Sequence, residues 1–160
     1  MAQNRDSTSG PVVTLQDVRT VLSGDTGDVQ VNWGFASAVR SFTKWPVAIW
    51  AAVIEEHAGY SPLLRTFYWI QDNVLGQLTI DPETSTERPT ITGTVQSVSN
   101  IDVVDLSATV VDDNCRVVRT ITARFRDGNH VTVSAAHSRM YLNDQANKFI
   151  DALLDAVASC

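Results

Sequence analysis

The chain has 160 residues and a mass of 17.5 kDa, the size of one ordinary domain and too small for two substantial ones. Its 44% hydrophobic and 19% charged residues, with 8 Gly and 5 Pro, exclude a collagen-like chain and one disordered throughout. Twelve Lys and Arg against 18 Asp and Glu leave a net charge of −6, which disfavours phosphate backbones and anionic lipid as partners.

Residues 1–12 are polar, lack the apolar core of a signal peptide and read as a flexible tail ahead of one domain over 13–160. Thr14, followed three residues later by Asp17, is an Asp-containing relative of the capping box. Leu15, Val18, Val21 and Leu22 then fall on one helical face, and Gly24 is placed to end the helix. Phe35, Ala38, Val39 and Phe42 form a second helical stripe. Trp45-Pro46 breaks it, because proline fits only the first turn of a helix. Three alanines and Glu55-Glu56 predict a further helix from Pro46 to His57, although Val47, Ile49, Val53 and Ile54 also suit a buried strand. The segment 13–58 is thus expected to be the helical part. Its most apolar run, Trp45 to Ile54, is half the roughly 20 residues that a bilayer span needs.

After Gly59 the pattern changes to strands, predicting a β meander over 63–135. Leu64 to Ile70 and Val74 to Ile80 flank Asp72-Asn73, a hairpin turn. Asp81 to Pro89 is polar, bounded by prolines, and reads as an exposed loop. Ile91 to Ser99 is the next strand, with Gly93 expected at a bulge. Val103 to Val111, Cys115 to Arg126 and His130 to Ala135 complete the meander. Side-chain parity pairs Val110 with Val117, Leu106 with Ile121 and Ala108 with Arg119, around a turn at Asp112 to Cys115. A three-residue Asp127-Gly128-Asn129 loop then sets Phe125 opposite Val131, Ala123 opposite Val133 and Arg126 opposite His130, with Asn129 left-handed. The chain closes with an amphipathic helix over 143–159. Phe149, Ile150, Leu153, Leu154 and Val157 form its apolar stripe, and Asn143 or Asp144 is its expected cap.

Linear signals for catalysis are absent. Glu55-Glu56-His57 is the one acidic-histidine cluster, and on a helix its neighbouring side chains diverge by about 100°. It reads as a solvated helix end with His57 near the C-terminal dipole. His130 and His137 are isolated, and neither GxSxG nor a Gly-rich phosphate loop occurs. No catalytic residue, cofactor or metal site is therefore assigned. Cys115 and Cys160 form no CxxC or Cys/His cluster, so structural zinc is not expected, and their pairing stays open. With no glycosylation sequon or prenylation motif, the chain reads as cytoplasmic.

Two groups of residues stand out as binding candidates. Parity places Arg116, Arg124, Arg126 and His130 on one sheet face, among Thr120, Thr122, Thr132 and Ser134. They would form a local cationic patch for an acidic group, or an ordinary solvated face whose arginines discourage edge pairing. The second group follows from Phe67, Tyr68 and Trp69, three consecutive aromatics that cannot all face one core. Either helices cover the second face, or His57, Tyr68 and Trp69 line a pocket.

From about residue 63 to 158 the order is strands followed by one C-terminal helix. Its end, Ile121 to Ala136 followed by Asn147 to Val157, resembles bacterial pleckstrin-homology-like domains, in which a strand, a short Asp-Gly hairpin and a strand lead into a helix that plugs an open barrel. That resemblance implies a binding or assembly module, and it makes Pro46 to Ile54 a first strand instead of a helix. The basic first hairpin of lipid-binding members has no counterpart in the Asp72-Asn73 turn, so phosphoinositide binding is not implied.

The expected fold is α+β, an antiparallel sheet of about six strands between an N-terminal helical segment and a C-terminal helix. The expected function is a small soluble, non-catalytic protein-interaction module, such as an adaptor, an immunity- or antitoxin-type inhibitor, or a phage or secretion accessory factor. Its acidity suits a basic protein partner, and a homo-oligomer stays open. The competing expectation is an enzyme or ligand binder with a cavity between sheet and helices.

Overall fold

Helix α1, Leu15–Ser23, begins where its unpaired N–H groups find oxygen acceptors. The Asp17 N–H donates to the Thr14 hydroxyl at 3.1 Å, and the Asp17 carboxylate accepts from the Thr14 N–H at 2.9 Å. The predicted capping box is therefore present, and Gly24, at φ 84°, ends the helix. A computed structural model describes residues 14–159 apart from 25, 58 and 86, so the expected tail and Cys160 lie outside the described residues. Helix α2, Trp33–Phe42, is capped by Asn32, whose side-chain oxygen accepts from the Phe35 N–H at 3.1 Å. It buries Phe35, Ala36 and Val39, whereas Phe42 at the end of the predicted stripe stays exposed.

The next element corrects the expectation of a helix over 46–57. Ile49–His57 is strand β1, so the helical part ends at Phe42. Trp50 and Ala52 are buried in one hydrophobic cluster and Ala51 in another. A helix would hide one stripe of this run, whereas a strand covered on both sides hides consecutive apolar residues. Glu55-Glu56-His57 accordingly ends a strand, with His57 opposite Tyr60, and occupies no helix C-terminus.

Strands β2 (Tyr60–Gln71), β3 (Val74–Ile80) and β4 (Ile91–Ser97) extend β1 into an antiparallel sheet ordered β1-β2-β3-β4. Asp72 and Asn73 make the predicted turn with φ of 55° and 63°, as a two-residue hairpin of primed type requires. The bulge expected at Gly93 is absent, since the β3–β4 ladder runs unbroken from Val74↔Ser97 to Ile80↔Ile91. Glycine is required there for another reason. A Cβ would lie 1.9 Å from the Gln77 carbonyl oxygen.

A 3-10 turn at Val98–Asn100 leads into β5 (Ile101–Val110), β6 (Val117–Phe125) and β7 (His130–Ser134), which form a second antiparallel sheet. The protein is α+β as expected, but its strands divide into sheets of four and three, in place of one six-stranded sheet. The two sheets do not close into a barrel. The β5–β6 register is the predicted one, with Val110↔Val117, Leu106↔Ile121 and Ala108↔Arg119. The β6–β7 register differs by two residues: Ala123 pairs with Val131 and Arg124 with His130. Its loop is Arg126-Asp127-Gly128, where Gly128 takes the left-handed conformation at φ 93° and the Phe125 N–H donates to the Asn129 carbonyl at 2.8 Å. An even slip preserves the faces, so the buried and exposed assignments survive the error.

Helix α3 spans Met140–Ala158 and starts one turn before the predicted Asn143. Its N-cap, Arg139, makes no side-chain capping bond, and the Asn143 side chain instead accepts from the His137 N–H at 3.2 Å. The first sheet lies between two clusters. Val18, Leu22, Phe35 and Val39 of α1 and α2 pack with Trp50, Phe67, Trp69 and Leu78. On the other side, Ala51 and Leu75 pack with Ile121, Ala123 and Phe125 of the second sheet and with Phe149 and Leu153 of α3. Trp50, Phe67 and Trp69 stack in sequence at centroid spacings of 5.7 Å, while Tyr68 turns the other way, to 6.3 Å from Phe149.

Polar contacts join the distant chain ends. The Tyr141 hydroxyl donates to the Leu22 carbonyl of α1 at 2.8 Å, and burial pushes this phenol up to about 12. Arg139 donates to Asp28 at 2.8 Å and to Glu56 at 3.3 Å, linking the loop before α2, strand β1 and the start of α3.

Two predictions follow from this packing. A Cβ at Gly76 would lie 2.2 Å from the Trp69 ring. Gly76→Ala and Gly93→Ala should each lower stability by about 1–3 kcal/mol in urea unfolding, with Gly93→Ala the worse because a backbone carbonyl cannot rotate away. For Tyr141, the folded phenol titrates above the roughly 10 of an unfolded tyrosine. Its contribution is complete below pH 10 and is lost as pH rises from 10 towards 12. Tyr141→Phe should cost about 1 kcal/mol at pH 7 through the lost hydrogen bond, and its deficit against wild type should shrink above pH 10.

Candidate functional site

The outer face of β6 and β7 is built from the even-numbered residues that parity selected. Its hydroxyls satisfy one another across the strands, Thr120 with Ser134 at 3.0 Å and Thr122 with Thr132 at 2.9 Å. Arg124 and His130 sit directly opposite in the ladder. Arg124 is engaged by Asp105 of β5 in an exposed ion pair. Arg116 lies beyond the other end of β6, where it donates to Asp112 at 3.0 Å. The Arg116 guanidinium and N–H hold the Asp112 carboxyl below its ordinary range. Arg126 is in the β6–β7 loop, exposed, with its backbone N–H on the Asn100 carbonyl. The structure thus brings Arg124 and His130 together, sets Arg116 apart at the far end, and neutralises two of the three guanidinium groups with carboxylates of the same hairpin.

The second candidate set is dispersed. Tyr68 and Trp69 point to opposite faces of the first sheet, Trp69 being only 3% exposed in the aromatic stack. His57 is near the far end of β1, opposite Tyr60. Burial, with Arg139 beside it, holds the His137 imidazole below its ordinary value. Among the described residues no three His, Cys, Asp or Glu side chains are grouped to hold a metal ion, and no helix is long and apolar enough to cross a membrane. Cys115 is exposed and free in the β5–β6 turn.

The surface that sequence reasoning missed is strand β5. Among the described residues it pairs with β6 on one side and is the edge of its sheet on the other. Leu106, Ala108 and Val110 share the inner face with Ile121, Arg119 and Val117, their ladder partners. Helix α3 covers Ile121 and Ala123 but not the outer half of the hairpin. Leu106 is consequently 67% exposed, Val110 62% and Val117 47%. Leu106 and Ala108 line a shallow groove of about 360 Å³ together with Arg119, Ile150 and Leu154. The strand also carries exposed Asp102 and Asp105, with Asp112 and Asp113 in the turn beyond it. An exposed edge of this length with apolar side chains is a template for pairing with another chain.

Arg119 fixes the wall of that groove. Its Nε and Nη2 donate to the Asn147 side-chain oxygen at 3.1 and 2.8 Å, Nη2 reaches the Asn147 carbonyl at 3.3 Å, and Nη1 reaches Asp151 at 2.9 Å. Parity had placed Arg119 on the apolar face opposite Ala108. A charged residue at such a position was the available sign that it meets a polar partner on another element.

No family model, curated protein or solved structure matches this chain.

The two arginines of β6 should behave differently. Arg119→Ala should lower stability by about 1–3 kcal/mol and raise hydrogen exchange in α3, because it strands half-buried oxygens of Asn147. Arg124→Ala breaks only an exposed pair and should change stability by less than about 0.5 kcal/mol in the same urea titration.

Proposed function

We propose that the chain is a non-catalytic protein-interaction module that captures an extended, basic segment of a partner protein along β5. The observation that carries this reading is a 10-residue edge strand with Leu106 and Val110 exposed beside a groove floored by Ile150 and Leu154. A strand added to such an edge gains main-chain hydrogen bonds, while alternate side chains enter the apolar groove. Charge selects the occupant. The edge and its turn present exposed Asp102 and Asp113 in a chain of net charge −6, while Asp105 and Asp112 are already paired with Arg124 and Arg116.

The pleckstrin-homology-like frame belongs to the same proposal. Its support is the order of elements: four strands, three strands and a helix packed over both sheets. In that frame the first hairpin joins β1 to β2, and the Glu55-Glu56-His57 end of β1 carries no Lys or Arg for an inositol phosphate. A fold of this kind leaves the partner to be decided by the surface.

The test compares wild type with the double variant Leu106→Arg/Val110→Arg and with a control at exposed Val21 of α1, Val21→Lys. Each is used to capture proteins from host lysate at low and high salt, with the mass of the purified chain measured in parallel. A stoichiometric partner held by wild type and control, lost with the double variant and weakened by salt, supports the proposal. Equal capture by the double variant overturns the assignment to β5. A dimer of wild type that the double variant abolishes gives the edge to a second copy and overturns the basic partner.

A further inference from the structure

A separate concavity of about 520 Å³ opens between the inner face of β3–β4 and the start of β7. It exists because cover is unevenly distributed over the first sheet. Helix α3 packs on β1 and β2, and β7 has only 5 residues, so among the described residues the inner face of β3 and β4 has no complete lid. Register sets three pairs side by side on that face: Leu75 with Gln96, Gln77 with Thr94, and Thr79 with Thr92. The opposite wall is formed by Phe125, Val131 and the Gly128–His130 segment, including Asn129.

The chemistry of this lining is narrow. Among the described residues it is lined by no Lys, Arg, Asp or Glu, and His130 is its one titratable side chain. A phosphate, a carboxylate or a metal cation would enter without a compensating charge. A wholly apolar ligand would cover the amides and hydroxyls without pairing them. Gln77, Thr92, Thr94 and Gln96 make no side-chain hydrogen bond within the described residues, whereas Thr79 is already paired with Thr66 at 3.1 Å. Threonine hydroxyls and glutamine amides both donate and accept, as the neighbouring hydroxyls of a sugar do, whereas the Asn129 amide already donates to Asp127 at 3.0 Å. Leu75, Phe125 and Val131 add apolar surface for the C–H face of such a ring. The volume falls within the usual range of small-molecule sites.

We propose that this cleft binds a neutral, polyhydroxylated small molecule of the monosaccharide or disaccharide class. None of its lining residues belongs to β5 or α3, so the proposal stands independently of the strand-capture reading.

The experiment uses the full chain and defined probes: methyl glucoside, maltose, cellobiose and trehalose, with glucuronate and glucose 6-phosphate as charged counterparts. Binding is measured by saturation-transfer NMR and calorimetry, and the site is mapped by amide shift changes on the wild-type protein. A neutral probe should bind with a Kd of about 1 mM or tighter. Its shift changes should centre on Gln77, Thr92, Thr94 and His130. Thr94→Val with Gln77→Leu should weaken that probe by about tenfold or more, and Arg116→Ala should leave it unchanged. The proposal is overturned if no neutral probe binds at about 10 mM, if a charged counterpart binds more tightly, or if the shift changes map elsewhere. The wild-type mapping decides the question even where the double variant does not fold.

Discussion

The first sheet is apolar on both faces along β1 and β2, and the remaining architecture answers to that constraint. Along β2, Phe67 and Trp69 project to one side and Tyr68 and Ile70 to the other, each into a different hydrophobic cluster. One layer of helices covers one face only, so α1 and α2 take the aromatic side, and the second sheet with α3 takes the other. The aromatic side tolerates little variation. Trp69 stacks on Phe67 and lies against Gly76, leaving no room for a methyl group at that position.

Covering both faces brings the two ends of the chain together, and polar side chains fasten them. Tyr141 reaches the last turn of α1, Arg139 joins Asp28 and Glu56, and Arg119 grips Asn147 and Asp151 from beneath α3. Each contact is between residues distant in sequence, with one partner on or next to α3. That helix packs on β1, β2 and the second sheet at once, so these bonds also set how the two sheets meet.

The same allocation explains what is left uncovered. A single 19-residue helix cannot shield all of both sheets. The outer half of the β5–β6 hairpin projects past it, exposing Leu106 and Val110, and the inner face of β3–β4 keeps an open, uncharged cleft. The two surfaces differ in chemistry. One is an apolar edge with acidic neighbours, the kind of surface that takes another chain. The other is an array of hydroxyls and amides, the kind that takes a small neutral molecule.

Local chemistry was legible without coordinates. The Thr14–Asp17 capping box, the Gly24 stop, the Asp72-Asn73 turn and the Val110–Val117 register depend on neighbours within a few residues or on parity along one hairpin. The β6–β7 loop was placed wrongly because Gly128 and Asn129 can both adopt a left-handed conformation, and only the closed ladder distinguishes them. The identity of β1 was a different kind of question. Its run of consecutive apolar residues fits a helix or a doubly covered strand, and only the layers packed on either side decide between them. The division into two sheets, the edge that β5 leaves unpaired among the described residues and the open cleft are likewise tertiary. Composition and periodicity determined which side chains must be hidden. Which surfaces stay bare was decided by where the few covering elements came to rest.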